Sequence, residues 1–163
     1  MDVTFIKEAG RRYRMTVVRE HGPELAPRRG PGYDDYLPHD AVHFLVEAEA
    51  RLSGAVFGRI AAGHNNLFWP ADPALLRRQA RKEKKRRPSP AERADMARSE
   101  RLASVCRPLW ELRKGRRDDL PPWADADLVG DRALLERVLS RLDDFAARWH
   151  ELPIGGGITL HWP

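Results

Sequence analysis

The chain has 163 residues, with 42% hydrophobic and 33% charged side chains, enough apolar material for one core under a heavily charged surface, and a length that argues against a multidomain enzyme. The mean hydropathy of -0.61 and the lack of an apolar run near ~18 residues argue against a spanning helix, and Met1-Asp2 is not followed by the basic-then-apolar pattern of a secretory leader. One cysteine, Cys106, excludes an internal disulfide and a multi-cysteine metal site. These features together read as a cytoplasmic protein of one domain spanning 1–163.

Val3 to Lys7 and Tyr13 to Arg19 are β-prone runs separated by Glu8-Ala9-Gly10-Arg11. In the second, Tyr13, Met15 and Val17 alternate with Arg14 and Thr16, the period of a half-buried strand, so an N-terminal hairpin is expected. From Gly22 to Pro38 the glycines and prolines follow neither period, which predicts a long loop; loops of this length carry function or serve as a crossover from sheet to helix.

His39 to about Ala62 reads as one helix, with Ala41, Phe44, Leu45, Ala48, Leu52, Ala55 and Val56 on one side, weakened by Gly54 and Gly58 and stopped by Gly63. A break is expected over Asn65 to Pro70. Asp72-Pro73 is a helix cap followed by proline at the first helical position, and Pro88 ends the helix it opens. Ser89-Pro90-Ala91-Glu92 fits a capping box. The helix beyond it carries Leu102, Val105, Cys106, Leu109 and Leu112 on one face, and Pro108 is expected to kink or end it near Arg107. The segment from about 73 to 114 thus reads as a basic helix-hairpin.

Gly115 to Gly130 is irregular. Asp131 to about Leu152 is the clearest helix, with Leu135, Val138, Leu142, Phe145 and Trp149 at three- and four-residue steps. Gly155-Gly156-Gly157 has no lysine or helix start after it, so it reads as a flexible joint, not a phosphate loop. Ile158, Leu160 and Trp162 then alternate with Thr159 and His161, a terminal strand. The fold class is α+β: a small antiparallel sheet of the N-terminal hairpin and the C-terminal strand, packed against three or four helices.

The net charge of +5 and a pI of about 9.8 invite a nucleic-acid reading, but the excess is local. Residues 77–87 hold eight bases against Glu83, and the remainder carries 21 bases and 23 acids. The run has no aromatic residue for stacking on bases. It reads as a solvated helix and bend, with nucleic acid or an acidic protein as the alternative partner.

Leu37 through Glu49 holds the main chemical signal. If the helix starts at His39, then His39, His43 and Glu47 occupy successive i, i+4 positions on one stripe, the spacing of side chains that share a divalent ion. Asp40 lies about 100° around the helix from His39, as a ligand or as an acceptor that orients one. Val46, Ala50, Gly54 and Phe57 beside the stripe are small or apolar, where a solvated face would carry charges. Polar groups in a dry surrounding must be paired, neutralised or metal-bound. The expected site is His39, Asp40, His43 and Glu47 around a divalent ion, zinc by ligand type, acting on a small molecule or serving binding alone. The structural alternative is a helix start decorated by His39 and Asp40, with His43 and Glu47 an ordinary pair. His64, His150 and His161 are further ligand candidates by residue type only, and Cys106 reads as a small core side chain.

His39-Asp40-x-x-His43 resembles the HDxxH motif of the zinc-binding accessory proteins of coenzyme Q biosynthesis. The resemblance implies a bound divalent metal and a lipophilic ligand. That family's further glutamate falls on Ala55 here, so Glu47 or Glu49 would have to substitute. The string from Leu37 through Gly63 also looks like small uncharacterised actinobacterial proteins.

Overall fold

The computed structural model describes residues 1–31, 36–64 and 67–163. Strands β1 (Asp2–Glu8) and β2 (Arg12–Val18) form the expected hairpin. Its turn places Gly10 and Arg11 in the left-handed region, at φ 69° and 55°, a conformation glycine adopts without steric cost. A two-residue strand, β3 (Arg28–Arg29), adds to the free edge of β2, and the terminal strand β4 (Gly157–His161) pairs with β1, giving the order β3-β2-β1-β4, antiparallel throughout. The β1–β4 register sets Thr4 opposite Thr159, with their hydroxyls 2.9 Å apart. Strand β3 corrects the reading of 22–38 as loop throughout: Met15 pairs with Arg28 and Arg14 with Arg29, too short a run to show a period. The remainder of that loop reading falls partly on 32–35, and the break at 65–70 partly on 65–66, outside the described residues.

The helices are α1 (His39–Ala50), α2 (Val56–Ala61), α3 (Pro73–Lys85), α4 (Pro90–Arg113) and α5 (Arg132–Glu151), with a 3-10 turn at Ala126–Val129. The single helix expected over 39–62 is two. Arg51 takes φ 54°, ψ 45° at the end of α1, and the Leu52 N–H closes on the Glu47 carbonyl at 2.9 Å, a left-handed stop of the kind that ends helices. Helix α3 starts as its cap predicts, Asp72 accepting from the Ala74 and Leu75 N–H groups at 2.9 and 2.8 Å. The capping box is reciprocal: Ser89 Oγ accepts from the Glu92 N–H at 3.1 Å, and Glu92 accepts from the Ser89 N–H at 2.7 Å. Helix α4 runs through Pro108 to Arg113 instead of ending near Arg107. Proline removes one hydrogen bond, to the Ser104 carbonyl; burial of Leu102, Val105, Cys106, Leu109 and Trp110 outweighs it at roughly 1.5–3 kcal/mol per large side chain.

Two layers meet at α1. The inner face of the sheet (Val3, Phe5, Tyr13, Met15, Val17, Ile158 and Leu160) is buried against α1 and α5. Phe5 meets Phe44 and Phe145 edge-on at 6.3 and 5.8 Å, and Tyr13 meets Trp149 at 6.5 Å. Helix α4 packs on the far side of α1 and α5. Eight consecutive residues of α1, Asp40 to Glu47, are therefore buried; the helix is covered all round, as its apolar composition on both sides foretells. No described helix is long and apolar enough to cross a membrane.

Candidate functional site

The polar residues of α1 acquire partners from three other elements. The helix begins at His39, with Pro38 in the cap position and no side-chain cap. The cap function comes from the sheet: the Asp40 N–H donates to the Tyr13 hydroxyl oxygen at 3.1 Å, and that hydroxyl donates to Asp40 Oδ2 at 2.6 Å. Asp40 Oδ1 stands 3.7 Å from His39 Nδ1. Burial works to raise the Asp40 pKa, but the His39 and Tyr13 contacts outweigh it and hold the carboxyl below its ordinary value. The same contact with Asp40 raises His39, against a smaller opposing effect of burial. Tyr13 is pushed upward by burial and by the neighbouring Asp40 charge, so its proton stays in place.

One turn on, a second chain of hydrogen bonds runs inward. Ser99 of α4 donates its hydroxyl to Glu47 Oε1 at 2.7 Å, and its Oγ lies 3.0 Å from His43 Nδ1. A hydroxyl has one hydrogen; when Glu47 is ionised that hydrogen is spent on it, so Nδ1 carries a proton and donates to Ser99. The Nε2 atom of His43 is left with its lone pair. The other Glu47 oxygen accepts the Phe57 N–H at 2.7 Å, in the first turn of α2, where a carboxylate is favoured by the orphan amides and the helix dipole. This contact gives the break between α1 and α2 a physical role: the chain must turn back for α2 to present its amides to a buried acid. Burial nonetheless dominates and pushes Glu47 up to about 7, against the Phe57, Ser99 and Val56 donors. Burial and the nearby His39 lower His43, with Glu100 and Asp40 pulling weakly the other way, so its imidazole is neutral near pH 7.

His43 Nε2 faces a cleft of about 220 Å³ lined by His39, Val42, Glu100, Ser104, Arg107 and Pro108 among others. The His39 and His43 rings lie 4.7 Å apart, and Glu100 Oε2 is 4.0 Å from His43 Nε2. The four predicted ligands therefore divide. His39 and His43 line the cleft, whereas Asp40 and Glu47 lie behind them with oxygens committed to Tyr13, Ser99 and Phe57. Among the described residues no three His, Cys, Asp or Glu side chains already converge as a ligand set; the Glu100 side chain, 67% exposed, stands off from His43 with room to turn.

The other candidates by residue type sit elsewhere. His150 stacks on Tyr36 at 4.6 Å, His161 pairs with Asp2 at 2.8 Å, and exposed His64 borders a groove beside α3. Glu49 pairs with Arg137 at 3.3 Å. Cys106 is buried, and burial pushes its thiol up to about 12, leaving it an unreactive core residue. Sequence reasoning misses Tyr13, Ser99 and Glu100. For Ser99 a signal exists: it lies three residues before Leu102, in line with the apolar stripe of α4, and is buried. No protein-family model, curated protein or solved structure matches the chain.

Proposed function

We propose that the cleft between α1 and α4 binds a divalent metal ion, with His43 and His39 as its imidazole ligands and Glu100 as its carboxylate. The observation that carries this reading is the Glu47–Ser99–His43 chain. With Glu47 ionised it places the ring proton on Nδ1 and leaves the Nε2 lone pair to a cleft that holds a second imidazole and a carboxylate, while burial keeps the ring neutral. Metal-bound histidines are held in this way, the far ring nitrogen donating to an oxygen that fixes tautomer and orientation. Asp40 stands near the corresponding nitrogen of His39, its Oδ1 3.7 Å from Nδ1. Two imidazoles and a carboxylate are the donor set of sites that keep a coordination position open for water or substrate. Such an ion polarises a substrate oxygen or lowers the pKa of bound water. A cleft of about 220 Å³ suits a small molecule.

Zinc alone is the probe. Calorimetric titration of chelator-treated protein is expected to show one equivalent bound, and saturating zinc to raise the melting temperature, because a ligand of the folded form stabilises by about 2.7 kcal/mol at 100 times Kd. His43→Ala should abolish binding. Ser99→Ala, which leaves all three ligands in place, should weaken it by about 10- to 100-fold. No uptake by the wild type, or undiminished uptake by His43→Ala, would refute the site.

A further inference from the structure

Helix α3 stands apart from the core. None of its residues is buried, yet Asp72 caps it with two hydrogen bonds and it holds 13 residues of regular helix. At 100° per residue, Arg77, Arg78, Arg81, Lys82, Lys84 and Lys85 fall within an arc of about 160° that contains no acid. All six are exposed, and among the described residues none is engaged in an ion pair. The opposite side, with half-buried Gln79, Ala80 and Glu83, turns toward the body of the protein, and a groove with Pro23 and Pro70 is bordered by Gln79 and Glu83 and by Arg78 and Lys82 at one edge of the arc. Six like charges on one face repel one another, and nothing in the fold's own packing requires them.

We infer that α3 is a docking helix for duplex nucleic acid, its basic arc facing the phosphates of both strands across a groove without reading sequence. The spacing of the charges selects the partner. Arg77 to Lys85 spans about 12 Å at 1.5 Å per residue, so the arc carries one positive charge per about 2 Å. Duplex DNA carries one negative charge per about 1.7 Å of axis with both strands counted, and a helix in the major groove faces both strands at once, as an arc of about 160° can. An extended acidic peptide with a carboxylate at every position offers at most one per about 3.3 Å, half of them facing away. An anionic membrane would draw on a broad apolar face beside the charges, and the exposed large apolar side chains of α3 are two leucines of its first turn, Leu75 and Leu76. No aromatic residue lies between Pro73 and Arg87, which removes the stacking platform used for single strands. The inference is independent of the metal site.

Fluorescence anisotropy of a labelled 20-base-pair duplex of arbitrary sequence tests it. The wild type is expected to bind in the micromolar range at ~50 mM salt. The log–log salt slope should lie between about -3 and -5, close to -0.9 per phosphate contacted, so that raising salt to ~200 mM weakens binding by roughly 10² to 10³. Replacing Arg77, Arg81, Lys84 and Lys85 by glutamine should weaken binding at least tenfold and flatten the slope, with the circular dichroism unchanged. A charge-matched control, glutamine at exposed Arg12, Arg101, Arg132 and Arg148, should bind as the wild type does. The inference falls if the wild type does not bind the duplex at ~50 mM salt, if the control loses as much as the α3 variant, or if poly-glutamate or phosphatidylserine vesicles bind more tightly than the duplex.

Discussion

Glu47 offers the sharpest test of the α1 site because it is both fully buried and titratable. Moving a carboxyl from its ordinary 4.5 to about 7 corresponds to about 3 kcal/mol, at 1.36 kcal/mol per factor of ten in proton affinity. The native chain then holds a proton between pH 4.5 and 7 that the unfolded chain has released. This group's contribution to stability is full below pH 4.5 and is lost as the pH rises through 7. About 2.5 kcal/mol of the loss falls between pH 5 and pH 8. In Glu47→Gln the side chain keeps its shape and an acceptor oxygen but cannot titrate. Urea unfolding of both proteins at pH 5 and pH 8, with chelator present, cancels the groups they share. The wild type is expected to lose about 2.5 kcal/mol relative to Glu47→Gln on going from pH 5 to pH 8, or roughly 5–10 °C in Tm for a domain of this size. Parallel curves, or a wild type that gains on the variant as pH rises, would show that the three donors around the carboxylate outweigh its burial and would refute the reasoning.

Tyr13→Phe should cost about 1–3 kcal/mol, since it strands the buried Asp40 N–H and one carboxylate oxygen without their partner; thermal unfolding reads it, and a change below ~0.5 kcal/mol would mean that another group takes up both. A Cβ on Gly30 would lie 1.9 Å from the Tyr13 ring, so Gly30→Ala should destabilise by about 1–3 kcal/mol and move the same hydroxyl; stability within error of wild type would contradict the seating of that ring. Removing residues 157–163 takes away β4 with buried Ile158, Leu160 and Trp162, at roughly 1.5–3 kcal/mol each, so the truncated chain should lose most of its cooperative unfolding by circular dichroism. A well-folded truncation would refute the role of β4 in closing the sheet.

What could be read from the sequence follows the range of the interactions. The hairpin, the Asp72 cap, the Ser89–Glu92 box and the α5 stripe are each decided within a few residues, and each stands where its local chemistry puts it. The misread features are those where distant packing wins. Leu52, Ala55 and Val56 keep the helical phase of α1, and Gly54 weakens the helix without placing its end at Arg51; the turn delivers the Phe57 amide to a carboxylate ten residues back. Pro108 breaks a rule that burial of its neighbours overrides. The paired strand at Arg28–Arg29 is defined by the edge of β2 and not by its own side chains.

The site divides along the same line. The i, i+4 spacing identifies His39 and His43 and the dry stripe around them, but it cannot say which way the carboxylates face, because that depends on partners 27 and 52 residues away, Tyr13 for Asp40 and Ser99 for Glu47. Burying Glu47 is costly, since three donors fail to return its pKa to normal. A leucine there would fill the space, yet it would leave the Phe57 N–H and the Ser99 hydroxyl without acceptors, at about 1–3 kcal/mol each. Ser99 would then be free to donate to His43 Nδ1, which moves the ring proton to Nε2 and blocks the lone pair that faces the cleft. The buried acid is therefore costly as a core residue and effective, once ionised, as the group that fixes one tautomer of one histidine, and that role accounts for a carboxylate at this position better than stability does.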